Sequence, residues 1–314
     1  MFRLESSGAG FSLYLEDVLI IEHSSTDPAV CLGIGREKIE MYRGNFTIED
    51  SVEAAIPLEL RRILEGEIIL SHPRLRGEYR LELREEDGLL LIRGRCEDER
   101  YNRLYLRLRA FPGEHVMGGG EQFSALDMRG RRFPIWTREQ GVGRNKLTEI
   151  TRLADQLDGG GGDYHTTFFP QPSFVSSRMY FALLENYCYS CLDFSREDCH
   201  LLELWSAELR LALGRGENYR ELLGKLSGRL GRQPELPDWA MRGIWLGVQG
   251  GAERAMEVYN SCVAGGMDVS AVWIQDWEGK RITSFGKRLQ WDWRWNRELY
   301  PGLDKLIARM PGTS

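Results

Sequence analysis

The sequence predicts an α+β protein of more than one domain, an antiparallel β-sandwich followed by alternating strands and helices. Three observations carry this. Apolar and polar residues alternate with period two in Tyr79-Arg80-Leu81-Glu82-Leu83 and again where Leu104, Leu106 and Leu108 interleave with Tyr105, Arg107 and Arg109. Near residue 215 the period changes to that of a helix, and thereafter strand-like and helical stretches alternate. The chain of 314 residues, 42% hydrophobic, is long enough to bury two cores.

Residues 11 to about 215 read as sheet. Phe11 to Ser24 holds two short apolar runs, and Glu86-Asp87-Gly88 supplies a hairpin turn before Leu89-Leu90-Leu91-Ile92. Two stretches break the pattern. Gly118-Gly119-Gly120 precedes Glu121 and Gln122, a tight backbone that presents a carboxylate and an amide. A phosphate cradle is the rival reading, but no Gly-Lys-Ser/Thr follows and Glu121 would repel an anion. Trp136 to Lys146, WTREQGVGRNK, reads as a polar surface loop unless something places it beside a pocket. Gly159 to Gly162 reads as a flexible loop tip before Asp163-Tyr164-His165.

Residues 217–230 carry Tyr219, Leu222, Leu223, Leu226 and Leu230 on one helical face, with Gly231 as a stop. The turn RQPELPDW then holds Pro234 and Pro237, which forbid helix and suit a connection between domains. The predicted domains are therefore residues 1–231 and 232–314. In the second, Gly243 to Val248 is strand-like, Ala252 to Ala264 helical, and Val269 to Ile274 a β-branched run that behaves like a strand buried on both faces. Leu303, Leu306, Ile307 and Met310 begin another helix, which Pro311-Gly312 stops.

A net charge of −6 and a pI near 5.6 argue against nucleic acid as the main partner. No run approaches a membrane span, and Glu5, Glu16 and Asp17 interrupt any signal-like apolar core, so a cytoplasmic location is the expectation. Six cysteines do not make a disulfide framework in a chain this long. Cys188 and Cys191, with Cys199 and His200 nearby, raise the thought of zinc. The segment reads as strand, however, which favours reduced packing thiols and no metal.

The ligand site is expected within Val269 to Asn296. After the strand come Gln275, Asp276, Trp277, Arg281, Lys287, Arg288, Trp291, Trp293 and Trp295, with no helical or strand period. Indole faces stack on the C–H faces of sugars, while carboxylates, amides and guanidinium groups bond hydroxyls or anions. The first strand ends at Gln249 and the second at Gln275-Asp276, and C-terminal strand ends are where parallel βα architectures bind ligands.

The chain from about Leu13 onward resembles the family 31 glycoside hydrolases, and within them the bacterial sulfoquinovosidases. The resemblance rests on MYRGNF, GEQFS, WTREQGVGRNK, FFPQPSFVS, GRQPELPDW, VQGG, WIQDW and TSFGKRLQWDWRWN. It implies a galactose-mutarotase-like β-sandwich followed by a (β/α)8 barrel, retaining hydrolysis of α-glycosides, a small sugar glycoside as partner, no membrane, and no cofactor. It also implies that Arg288 and the Trp291 indole N–H meet a sulfonate, which a planar guanidinium fork suits. Gln275 contacts the sugar or a bridging water, Asp276 holds hydroxyls, Gln249 reaches the aglycone, and Glu121 comes in from the sandwich loop.

Retaining hydrolysis needs two carboxyl groups about 5 Å apart. The resemblance puts both aspartates on later barrel strands, beyond Ser314. The residues after Pro237 suffice for roughly two βα units, against ~250 residues for a whole barrel. The chain is thus expected to be a truncated enzyme, inactive as it stands. A non-catalytic sugar-binding β-sandwich protein, and α-glucosidase or α-xylosidase specificity, are the alternatives.

Overall fold

A computed structural model describes residues 2–42, 45–139, 141–283 and 286–309. Arg43 and Gly44 of MYRGNF, Gln140 of the polar loop, Ser284 and Phe285, and Met310, Pro311 and Gly312 of the expected last helix and its stop lie outside them. The chain divides into two compact units, Met1–Gly231 and Arg232–Ser314.

The first unit is built mainly of antiparallel sheet. One sheet runs in the spatial order Arg132–Ile135, Ser190–Asp193, Cys199–Leu204, Arg103–Arg109, Val30–Tyr42, Asn45–Pro57. The other runs Val116–Gly120, Pro170–Ser176, Tyr180–Leu184, Leu209–Arg215, Leu89–Arg95, Tyr79–Glu86, Glu67–Ser71, Glu59–Leu64. A three-stranded meander, Phe2–Ser7, Gly10–Leu15 and Val18–His23, adds a strand ahead of the expected start. Period-two alternation explains the core. Leu104, Leu106 and Leu108 from one sheet and Leu81, Leu83, Ile92, Leu211 and Leu213 from the other are buried in a single cluster. Each fully buried leucine contributes ~2 kcal/mol of transfer free energy. Asp87 and Gly88 both adopt positive φ between Tyr79–Glu86 and Leu89–Arg95, the two-residue turn that matches strand twist.

The interior also holds charge. Arg103 is 3% exposed at its side chain, bonds Asp50 and Glu37 at 2.7 Å each, and lies over Trp205 at 4.5 Å. Glu114 accepts from His200 Nε2 at 3.1 Å, from the Phe111 N–H at 2.8 Å and from Ser176. Burial pushes the Glu114 carboxyl up, but these bonds outweigh it and hold the group below the ordinary glutamate range.

Not all of residues 11–215 is sheet. Glu149–Asp158 forms helix α1, which shows Ile150, Leu153 and Leu157 to solvent. Ile150, Leu153, Ala154 and Leu157 stand at helical spacing, a period that the reading of this region as sheet passes over. The glycine run beyond it is not a loose tip. Gly161 and Gly162 are buried against Gly141–Gly143, with the Val142 N–H donating to the Gly160 carbonyl at 2.8 Å. A Cβ on Gly141 would stand 2.3 Å from the Gly162 nitrogen, and one on Gly162 2.1 Å from the Gly143 oxygen. Bare backbone is required because two chain segments touch here. Lys146 seals the same neck, bonding Asp155 at 2.7 Å and the Gly161 carbonyl at 2.9 Å.

Helix α2, Tyr219–Leu230, closes the first unit. Asn218 caps it by accepting from the Glu221 N–H, Leu222 and Leu226 are its buried residues, and Gly231 ends it at φ 92°. In the second unit a short helix α3, Trp239–Arg242, precedes the strand Ile244–Val248, helix α4, Ala252–Ala264, and the parallel strand Val269–Ile274. Helix α5 is Leu303–Arg309. Val269–Ile274 is not buried on both faces as its composition predicts: its residues are half-buried and Trp273 is 62% exposed. The reason is that its sheet has two strands, so both strands are edges. Among the described residues no helix is long and apolar enough to cross a membrane.

Candidate functional site

The parallel register pairs Val248 with Ile274, so the chain leaves both strands at the same level. Gln249 and Gln275 therefore emerge side by side, and Gln249 Nε2 donates to Gln275 Oε1 at 2.7 Å. Both are exposed. Gly250 and Gly251, at φ 109° and 102°, turn the first strand end sharply enough that the Gly250 N–H donates to Asp276 Oδ2 at 2.9 Å.

Asp276 lies beneath this rim with no exposed surface. Its Oδ1 accepts from the Tyr300 hydroxyl, and Lys280 Nζ stands 3.2 Å from Oδ2. Burial would raise its carboxyl, yet the bonds from Tyr300, Gly250 and Lys280 hold it below the ordinary aspartate range. Burial first, and then the bond to Asp276, push the Tyr300 phenol up to about 12. Asp276 is thus an ionised anchor of the loops around it.

The stretch beyond Asp276 lacks periodicity in sequence but contains a hairpin, Lys280–Thr283 paired with Gly286–Leu289. Its register sets Arg281 opposite Arg288 and Ile282 opposite Lys287. Ile282 is 84% exposed, so neither face of this short ribbon is apolar enough to show alternation. Glu278, buried at 3% exposure, then fixes the tryptophan turn by accepting the N–H groups of Asp292 and Trp293, the latter at 2.6 Å and at φ 56°.

Around these pieces opens a cavity of about 620 Å³ lined by Gln249, Lys280, Arg281, Lys287, Arg288, Leu289 and Trp291. The wall carries four cationic side chains and no carboxylate. Only Lys280 is tied to an acid, and Arg288 has no ion pair among the described residues. Such a wall favours an anion, and the indole of Trp291, 65% exposed, offers a face and an N–H beside it.

Three of the residues expected at the site, Gln249, Arg288 and Trp291, share this wall; Gln275 is bonded to Gln249, and Asp276 lies below. Glu121 belongs to the first unit. It is exposed, directly after Gly118, Gly119 and Gly120, which take φ of 140°, 71° and 80°, and its N–H donates to the Phe169 carbonyl at 2.8 Å. Sequence reasoning missed Glu278 and Tyr300, and it missed Lys280 as the partner of Asp276. Glu278 stood only two positions from Asp276 in the run DWEG, whereas nothing local marked Tyr300. Elsewhere, Cys188 is half-buried and Cys191 buried, and burial pushes both thiols up. The Cys199 sulfur accepts from Arg107 Nε at 3.4 Å, and His200 bonds Glu114.

No family model matches the chain. It is 42% identical to the sulfoquinovosidase of Escherichia coli over 312 residues, and 42% identical to that of Agrobacterium fabrum over 309, in each case 98% of this chain and 46% of the relative. The chain therefore spans about half the length of these relatives. Among solved structures, a family 31 sulfoquinovosidase from E. rectale in complex with an aza-sugar inhibitor superposes with a TM-score of 0.88 at 38% identity, again over 98% of this chain and 46% of that one. A family 31 dextranase of Flavobacterium johnsoniae, 12% identical with a TM-score of 0.51 over 98% of this chain and 36% of its own, shares the fold alone. Across nearly its whole length the chain is a homologue of the sulfoquinovosidases of glycoside hydrolase family 31.

Proposed function

We propose that this chain supplies the sulfosugar-binding part of a retaining α-glycoside hydrolase that cleaves α-sulfoquinovosides such as sulfoquinovosyl glycerol. The observation that carries the reading is the carboxylate-free wall on which Arg288 and Trp291 stand together with Gln249. A sulfonate on carbon 6 spreads its charge over three oxygens, which a guanidinium fork and an indole N–H meet directly. A neutral 6-hydroxyl leaves the unpaired guanidinium without its counter-charge. Gln249 and Gln275 present amide donors and acceptors to hydroxyls at the strand ends, and Asp276 holds the loops that carry them. Glu121 is assigned to substrate from the first unit. The nucleophile and the acid/base carboxyl are assigned to no residue of this chain. In this reading the first unit is a β-sandwich of mutarotase type, and the second opens a (β/α)8 barrel. Six free thiols fit a reducing, cytoplasmic compartment.

The test is kinetic, in a protein that carries this sequence within the full length of its relatives. Turnover of 4-nitrophenyl α-sulfoquinovoside is expected to exceed that of the α-glucoside. Arg288→Gln is expected to cut kcat/KM for the sulfonated substrate by roughly 10- to 150-fold, the cost of losing a charge-assisted bond. Faster turnover of the glucoside by the unaltered protein overturns the sulfonate assignment.

A further inference from the structure

A second carboxylate-free cavity lies wholly within the first unit. It has a volume of about 250 Å³ and forms between the outer part of the strand Asn45–Pro57, the strand Arg132–Ile135 with the loop beyond it, and the segment around His165. Phe46, Trp136 and Tyr189 make its aromatic side, with Phe46 edge-on to Trp136 at 5.3 Å and Trp136 tilted against Tyr189 at 5.6 Å. Arg132, Arg138 and His165 make the polar side.

The loop WTREQGVGRNK reads as surface in sequence, but Trp136 and Arg138 face this space from it. The backbone holds them there: the Arg138 N–H donates to the Thr167 carbonyl at 3.1 Å, and the glycine neck fixes the loop's far end. Each arginine spends part of its fork on the protein. Arg132 bonds Glu203 at 2.6 Å and Arg138 bonds Asp163 at 2.9 Å, and neither carboxylate lines the cavity.

Three nitrogen atoms in the lining residues are buried with no hydrogen-bond partner: Trp136 Nε1, Arg138 Nε and His165 Nδ1. An indole N–H and a guanidinium Nε–H can only donate. Burying either without an acceptor costs about 1–3 kcal/mol, and a native interior rarely gathers three such groups without a use for them. Burial, together with Arg138, Arg132 and Arg144 nearby, holds the His165 imidazole below its ordinary value and therefore neutral at neutral pH, although Asp163 opposes this. The acceptor that the indole and guanidinium donors lack is best supplied by an oxygen that carries negative charge. The volume, about eight waters at ~30 Å³ each, is below that of a drug-sized pocket.

We propose that this cavity binds one small organic oxyanion, a carboxylate or sulfonate on a frame no larger than a single sugar ring, held by Arg132, Arg138 and Trp136 against the Phe46 and Tyr189 rings. Bringing Trp136 Nε1 and Arg138 Nε onto the anion takes a side-chain rotation of the kind that binding commonly drives. The site is separate from the Arg288 wall and does not rest on the role given to it.

The experiment is isothermal titration of the 314-residue chain carrying Arg288→Gln, which removes the key cation of the other cavity. The probes are sodium glucuronate, sulfoquinovose, neutral glucose and inorganic sulfate. Saturable one-to-one binding of glucuronate or sulfoquinovose is expected, with glucose at least about tenfold weaker. Adding Trp136→Phe, which keeps a ring and deletes the donor, or Arg138→Gln is expected to weaken the bound anion by about tenfold or more at unchanged melting temperature. Should Arg138→Gln fail to fold, Trp136→Phe decides alone. Four results overturn the proposal: neither organic anion saturates, glucose binds as well, Trp136→Phe leaves affinity unchanged, or inorganic sulfate binds as tightly as the organic anions, which marks an adventitious ion only. Loss of sulfosugar preference in the kinetic test, with this binding intact, would fault the Arg288 reading and leave this one standing.

Discussion

Arg103 in the first unit and Arg288 in the second are the same side chain put to opposite ends. Arg103 is 3% exposed, bonded to two carboxylates and laid over an indole. Arg288 is exposed, sits on a wall shared with three other cations, and has no carboxylate partner among the described residues. Both have a tryptophan close by in the structure, and both come from strands with charged neighbours. The informative difference is neutralisation: a guanidinium whose charge the fold has already met is structural, and one left unmet beside a cavity is open to an anion.

The largest effect that sharpens this contrast is expected at Glu114, another buried charge of the first unit. Glu114→Ala leaves His200 and Ser176 buried without their acceptor and should cost about 3–5 kcal/mol, read by urea unfolding. Because the folded-state carboxyl is held below its ordinary value, its contribution is fully present above that value and fades as pH falls through the folded one. The variant should therefore show a shallower loss of stability on acidification, and an unchanged acid limb would contradict the assignment. Arg103→Met should cost less, roughly 2–3 kcal/mol, because Glu37 and Asp50 are partly exposed and water can take over their charge. The smallest effect is expected at Lys287, an exposed cation on the same wall as Arg288. Lys287→Gln should weaken sulfosugar binding about two- to threefold at low salt, with the difference fading as salt rises. A Lys287 effect equal to that of Arg288 would break the distinction between a directed ligand and a diffuse field.

Much of the sheet structure was legible because alternation survives wherever one strand face is buried, as at Leu104, Leu106 and Leu108. It failed where neither face is. The hairpin carrying Arg281 and Arg288 is exposed on both sides, so its period is absent from the sequence although its register sets the cationic wall. Gln249, Arg288 and Trp291, which the structure sets on one wall, could be nominated from sequence because they lie at or shortly after strand ends or within recognisable motifs. Glu278 and Tyr300 could not, since their work is to accept or donate to backbone and to Asp276 across the loop. The glycines of 159–162 were misread because composition cannot separate a backbone that needs freedom from one that needs room. The Cβ distances at Gly141 and Gly162 show that here the need is room.

That close backbone contact gives the excursion between Gly141 and Gly162, helix α1 included, the character of a bag tied at its neck. A protease that nicked the chain inside it, near the outward-facing Leu157, would sever the covalent path but leave both stumps pinned by Lys146, Asp155 and the opposed glycine amides. Intact mass on a native gel, with two pieces appearing only after denaturation, is the behaviour that such a tether dictates.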